Sequence, residues 1–304
     1  MATKRDAHTR RTNTMTLRST SRSADGESSI EFERRLGPPA LLLGVTGLII
    51  VVVPLAIYPH LESRFGFFVV LSATFAVIAG IGWIALRLDG VTARAVGLGR
   101  EHILPGVLAV VGLYVLLNVV GAGTVLVSGE GISIELSDEY ASAGMWAVAG
   151  IAYLAFNGMA EEFAFRGYLQ NKVIALFGGS NNRIRKAGAI FAGVLLFALI
   201  HIPQRVLIGG VTSPVAIAQS LLGIVLLGLV LGVLYEYTRN VVFVGVLHGT
   251  FNWQPIVVAE VPVSELALVV GIPALLLTAW YYRRWASGTN APEFSPQRQR
   301  GVSR

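Results

Sequence analysis

Ala160-Glu161-Glu162-Phe163-Ala164-Phe165-Arg166-Gly167 sets two adjacent carboxylates and a guanidinium inside a largely apolar, helix-forming stretch. A single charge at the centre of a membrane helix costs at least roughly 2.5–3.5 kcal/mol. Such groups persist where they face a protein or water-filled interior. Two more polar islands, His201 and the pair His248/Asn252, interrupt other apolar runs in the same way. The pattern reads as helices packed around a polar interior within a membrane.

Composition supports that class. The chain has 304 residues, 54% of them hydrophobic and 14% charged, with a mean hydropathy of +0.64. Charge is well below the roughly 25% usual in soluble domains, and several apolar runs approach the ~20 residues needed to cross a bilayer. The expected fold is all-α, a polytopic transmembrane bundle of about eight helices. The net charge of +6 comes from basic residues in the tails and loops, which points to membrane orientation and not to nucleic acid. The absence of cysteine excludes disulfides, thiolate metal sites and cysteine nucleophiles.

Residues 1–36 are polar and rich in Arg, Ser and Thr, and are expected to be disordered. Arg10-Arg11 brings a twin-arginine signal to mind, but the apolar run begins only near Ala40 and is as long as a spanning helix. The composition is also that of a transit peptide. Residues 37–285 form the membrane domain, and 286–304 a second disordered tail. The expected spans are 39–58, 66–86, 103–127, 143–163, 187–203, 215–235, 240–258 and 265–283, the fourth continuing to about Phe177.

Loop charges test the count. The N-terminal tail, the second loop (Arg87, Arg94, Arg100), the fourth loop (Lys172, Arg183, Arg185, Lys186) and Arg283-Arg284 are basic. The third loop carries Glu130, Glu135, Asp138 and Glu139, and the seventh Glu260 and Glu265, with no Lys or Arg. Basic and non-basic loops alternate, which places both termini in the cytoplasm. The expected setting is an integral protein of a prokaryotic cell membrane.

Counted from the basic ends of their helices, Glu161, His201 and the His248/Asn252 pair lie at ~12–24 Å depth. They are expected to share a buried cavity opening to the cytoplasmic side. Glu162 and Arg166 stand i,i+4 and suit a bidentate pair; a structural ion pair that locks the helix is the favoured reading. Glu161 points ~100° away with no cation on its own helix, and a carboxylate in a dry site suits proton transfer. His201 follows Phe197 by four residues and precedes the helix-breaking Pro203. His248 and Asn252, again i,i+4, suit metal binding, oxyanion hydrogen bonding or helix adhesion. Gly228 and Gly232 read as an intramolecular packing face; the oligomeric state is left open.

Taken in order, Glu-Glu-x-x-x-Arg, Phe-x-x-x-His and His-x-x-x-Asn resemble the CPBP family of CAAX prenyl endopeptidases of the Ras-converting type, bacteriocin-processing enzymes and Abi proteins. The likeness spans about residues 140–258. It implies an intramembrane endopeptidase with a peptide or membrane-protein substrate. By resemblance, Glu161 activates the hydrolytic water assisted by His201, His248 and Asn252 hold water or stabilise the oxyanion, and Glu162, Arg166 and Phe197 shape the site. The family is often classed as metallopeptidase. Glu161, His201 and His248 are a candidate zinc set, with water as fourth ligand and Glu162 as base. The metal-free alternative, with Glu161 as base, is preferred, and no His-Glu-x-x-His motif is present. A proton-coupled transporter and a catalytically silent immunity or binding protein of the same fold are the competing classes.

The charge alternation makes a direct prediction. Single cysteines introduced at Ser137 and Ser180 of this cysteine-free chain, labelled in intact cells with an impermeant maleimide, should react at position 137 and not at 180. The reverse pattern inverts the topology.

Overall fold

The computed structural model describes residues 28–136, 140, 142–178, 182–288 and 294–298. Ser137, Asp138, Glu139 and Ser180 lie outside them, as does most of each polar tail. The protein is an all-α polytopic bundle, with one two-stranded parallel ribbon joining β1 (Ser28–Phe32) to β2 (Phe294–Arg298).

The helices are α1 (Gly37–Ala56), α2 (Arg64–Leu88), α3 (Arg100–Val127), α4 (Ala143–Leu176), α5 (Arg183–Leu199), the short α6 (Ile202–Leu207), α7 (Pro214–Thr238), α8 (Val241–Trp253) and α9 (Val263–Arg284). Their starts follow local chemistry. Ser63, Ser142, Asn182, Ser213 and Asn240 each cap a helix by accepting a backbone N–H with the side-chain oxygen. Prolines occupy the first turns of α1, α6 and α7, where a missing N–H is harmless. Among the described residues, seven segments are long and apolar enough to cross a membrane, and many of their large apolar side chains are exposed, among them Leu104, Val119, Leu222, Leu226 and Leu277. That outward apolar surface fits lipid as solvent.

The seventh expected span differs from the reading 240–258. Only its first 13 residues, α8, are helical, giving ~20 Å of rise. Residues 254–258 continue as irregular and extended chain, adding roughly 16 Å. This non-helical length is tolerated because its backbone is partnered inside the protein. Val257 O accepts from Glu135 N and Ser133 O accepts from Ala259 N, while Asn118 accepts from Val257 N and donates to Pro255 O. α8 is the innermost helix, every residue from Val241 to Thr250 being buried.

The loops sort to two ends. At one, Val241 N donates to Gly97 O, Asn240 donates to His102 O and the Tyr282 hydroxyl, and Lys186 pairs with Glu236. This end gathers the even-numbered loops. The other end gathers residues 133–135 with 257–259. Lys172, read as a loop cation, is instead fully buried within α4. Its Nζ lies 2.8 Å from Asp89, also fully buried, and donates to Glu33 O. Tyr168 donates to the second oxygen of Asp89. This triad ties the segment after β1 to the bundle.

α8 crosses α4 at near-backbone contact. A Cβ on Gly158 would fall 2.2 Å from Gly245 O, and one on Gly249 2.4 Å from Tyr153 O. Gly228 and Gly232 do similar service within the chain, lying against Val194 and Arg166 and against Ile190 and Gln170. Gly158→Ala or Gly249→Ala should therefore lower folded yield and Tm sharply, at or beyond the upper end of the ~1–3 kcal/mol typical of overpacking, since the obstacle is backbone. Gly112→Ala, on a face with open space, should leave Tm nearly unchanged. Equal Tm for all three variants would disprove the close crossing.

Candidate active site

α4 is not a regular α-helix where its polar residues sit. Wide π turns cover Ala152–Gly158 and Glu162–Gln170, leaving only Met159–Glu161 as α between them. Such turns concentrate at functional positions because they loosen the helix and re-aim side chains. Here they lie against α8, whose glycines let it approach.

The approach brings His248 between the two carboxylates. Its Nδ1 is 2.8 Å from Glu162 Oε1, and its Nε2 is 3.6 Å from Glu161 Oε2. Glu162 is fully buried behind the imidazole and also faces a guanidinium, with Arg166 Nε 3.1 Å from its other oxygen. That contact is not the two-bond fork expected from sequence: Glu162 Oε2, Arg166 Nε and Arg166 Nη2 lack an aligned hydrogen bond. The reason is competition. His248 takes one carboxylate oxygen, so the guanidinium is left with a single near contact. Arg166 instead rests over the Phe197 ring at 5.2 Å, a cation–π contact.

Glu161, with no cation on its own helix, receives its neighbours from elsewhere. Asn157 Nδ2 donates to Glu161 Oε1 at 3.3 Å, and Asn252 Nδ2 donates to Asn157 Oδ1 at 2.9 Å. A continuous polar chain thus runs Asn252, Asn157, Glu161, His248, Glu162, Arg166. His201 stands just past the end of α5, at the break before α6. Its Nδ1 donates to Phe197 O at 2.8 Å, which leaves Nε2 as the nitrogen available for chemistry. Its ring meets Phe197 edge-on at 4.7 Å, and Phe197 meets Phe165 at 4.8 Å. Phe197 therefore orients both the histidine and the arginine.

Glu161, Arg166, Phe197, His201, His248 and Asn252 line one cavity of about 430 Å³; Glu162 does not reach its wall. The lining runs from Leu231, deep in the bundle, to Gln204, Arg205 and Ser220 near the loop that joins α6 to α7. Its polar part therefore lies from mid-bundle towards the end opposite the basic loops. This differs from the expected opening at the end that gathers the basic loops. Depth counted from the basic ends alone misleads, because α5 stops at Leu199 and α8 at Trp253, leaving His201 and Asn252 next to the other end.

The zinc set fits poorly. Among the described residues, no three His, Cys, Asp or Glu side chains converge as a metal-binding group. His248 directs both ring nitrogens at carboxylates. The sequence reading missed Asn157, which links Asn252 to Glu161. Its signal was present as an asparagine four residues before Glu161 in an apolar run. It also missed Gln204 and Arg205, which look like ordinary loop polarity in sequence.

Residues 143–254 match the family model described as Type II CAAX prenyl endopeptidase Rce1-like, a stretch of just over a third of the chain that holds every candidate residue. Over those residues the chain is similar to this family, and the match supports membrane-embedded endopeptidase activity on a peptide substrate. Comparison with curated proteins and with solved structures gave no significant match.

The geometry predicts a stability hierarchy. Glu162→Gln strips the counter-charge from Arg166 and the carboxylate from His248 in a fully buried position, and should cost about 3 kcal/mol or more. Arg166→Lys should also lower Tm, through loss of the contact over Phe197. Glu161→Gln should cost less than either. Thermal unfolding in detergent that ranks Glu161→Gln as the most damaging would contradict this arrangement.

Proposed function

We propose that this protein, whose residues 143–254 match the Rce1-like peptidase family model, is an intramembrane endopeptidase in which Glu161 activates the hydrolytic water. The observation that carries this reading is the 3.6 Å separation of Glu161 Oε2 and His248 Nε2 at the wall of the shared cavity. It is too long for a direct hydrogen bond, yet one water can touch both atoms at ~2.8 Å.

In this mechanism Glu161 takes a proton from that water as its oxygen attacks the peptide carbonyl carbon. The carbonyl π electrons move to oxygen. His248 holds the water and is itself held by Glu162. Asn252 spends one amide hydrogen on Asn157 and has a second for the developing oxyanion. Collapse of the tetrahedral intermediate breaks the C–N bond, and the proton held by Glu161 passes to the leaving amine, with His201 Nε2 assisting the transfer. Glu162 and Arg166 position the site without touching substrate through the carboxylate. Substrates are peptides or membrane proteins that reach the cavity from the bilayer or from the end opposite the basic loops.

Glu161→Gln keeps volume and hydrogen bonding and removes the base. It should abolish cleavage of a peptide library by the purified protein while leaving elution and Tm close to wild type. His201→Ala, His248→Ala and Asn252→Ala should each lose ~10²–10³ in rate. Because His248 is engaged by two carboxylates, cleavage should survive chelation, with well under one equivalent of zinc bound. Wild-type cleavage by Glu161→Gln would remove Glu161 as the base and revive the transporter reading. Loss of cleavage on chelation, restored by zinc, would overturn the metal-free chemistry.

A further inference from the structure

A further cavity, of about 310 Å³, is an apolar groove between α2 and α4. Small residues open it: Ala76, Ala79 and Gly80 on α2, and Ala155 and Ala160 on α4. Its floor depends on a local parting of the two helices. A Cβ on Gly82 would lie 3.2 Å from Ala164, so α2 and α4 touch there. A Cβ on Gly80 would meet nothing within 4 Å. Ala76, Gly80, Trp83 and Ala155 are exposed, and in a membrane bundle such apolar surface meets lipid.

The end of the groove is charged. Trp83 lines it, and Arg87 stands one turn further along the same face of α2. The Arg87 guanidinium lies 5.0 Å from the centroid of the Trp83 ring, so a cation–π contact sets it beside the groove's end. Arg87 is exposed, and no ion pair among the described residues includes it. The charged neighbours are already matched: Arg94, next to the lining residue Ala93, pairs with Glu101, and Asp89 pairs with Lys172. One uncompensated positive charge remains. Length agrees with a leaflet. From Phe75 to Trp83 the groove runs ~12 Å along α2, and Arg87 is ~18 Å from Phe75; one leaflet supplies ~15 Å of the ~30 Å hydrocarbon thickness. Arg87 therefore stands at headgroup level, with Trp83 at the interface that indoles favour.

We infer that the α2–α4 groove binds one anionic glycerophospholipid from the leaflet at the basic end, with its phosphate on Arg87 and an acyl chain along Gly80. A phosphodiester offers two oxygens to the planar guanidinium fork, and the apolar walls take the chain. Met159, Ala160 and Phe163 also line the groove. The chain thus packs on the turn of α4 that carries Glu161 and Glu162, between the two π segments. Phe75 lines both this groove and the candidate active-site cavity, and so separates the lipid from the polar interior.

The test uses delipidated full-length protein in detergent. Dioleoyl phosphatidylglycerol and dioleoyl phosphatidylcholine are added in equal amounts, and retained lipid is counted by native mass spectrometry. Wild type should retain one phosphatidylglycerol, preferred roughly fivefold over phosphatidylcholine, the worth of one arginine beside anionic lipid. Arg87→Gln should bring the ratio close to one. Arg100→Gln, which removes an exposed arginine from the same end but from α3, should leave it unchanged. Gly80→Leu fills the groove and should lose both lipids; Ala76→Leu, at an exposed position on the same wall, reads the same space if Gly80→Leu does not match wild type in elution and lipid-free Tm. Equal retention of the two lipids by wild type overturns the inference. So does an Arg87→Gln variant that keeps the preference, or an Arg100→Gln variant that loses it equally, since charge at that end is then diffuse. Wild-type retention by a folded groove-filling variant moves the lipid elsewhere and also overturns it. A crosslinked dimer that Gly80→Leu abolishes assigns the groove to a second copy, with the same consequence. None of these readouts uses cleavage, so the peptidase reading stands or falls separately.

Discussion

Everything in the polar interior depends on His248 standing between Glu162 and Glu161. Two adjacent carboxylates in a low-dielectric bundle need hydrogen-bond donors brought to them from other helices. The imidazole spans both, and Arg166 answers the remaining oxygen of Glu162. The arrangement requires α8 to approach α4 more closely than side chains permit. Gly158, Gly245 and Gly249 supply that approach, and no Cβ fits at any of them. Backbone packing and charge compensation are therefore one constraint seen from two sides.

The π turns of α4 belong to the same solution. A regular α-helix crossing the bundle would bury its i→i−4 ladder uniformly, whereas the widened turns on both sides of Met159–Glu161 loosen the helix where Asn157, Glu161, Glu162 and Arg166 are carried. Glu162 and Arg166 remain fully buried, while Glu161 and His248 keep slight exposure to the cavity. The division suits a site in which one carboxylate holds the scaffold and the other meets solvent. Phe197 extends it, fixing His201 on one side and carrying the guanidinium on its face.

Away from the site, the fold is stabilised at its basic end by a second buried ion pair. Lys172 and Asp89, with Tyr168, connect α4 to the end of α2 and to the chain just after β1. Phe32 is buried against Tyr168 and beneath the Lys172 ammonium. Removing either charge would strand the other in the interior, which is more damaging than never having had the pair. The candidate site at mid-bundle thus hangs from helices whose basic ends are pinned.

The amino-acid sequence by itself determined the solvent and the elements. Apolar runs of spanning length imposed a membrane bundle, and Ser, Asn and Pro signals marked where helices begin. Three spaced motifs named Glu161, Glu162, Arg166, Phe197, His201, His248 and Asn252 as the polar interior. These features are local: they depend on periodicity, caps and the cost of charge in hydrocarbon, all readable within one or two turns. Tertiary structure alone decided the partners. His248 reaches Glu162 across 86 positions, and Asn252 reaches Asn157 across 95. Spacing along one helix cannot reveal that an imidazole will claim the oxygen a guanidinium was expected to share. Nor does it reveal that α8 ends after 13 residues or that Lys172 is buried. Each of those follows from which helix faces meet, and that is set by close packing between segments far apart in the chain.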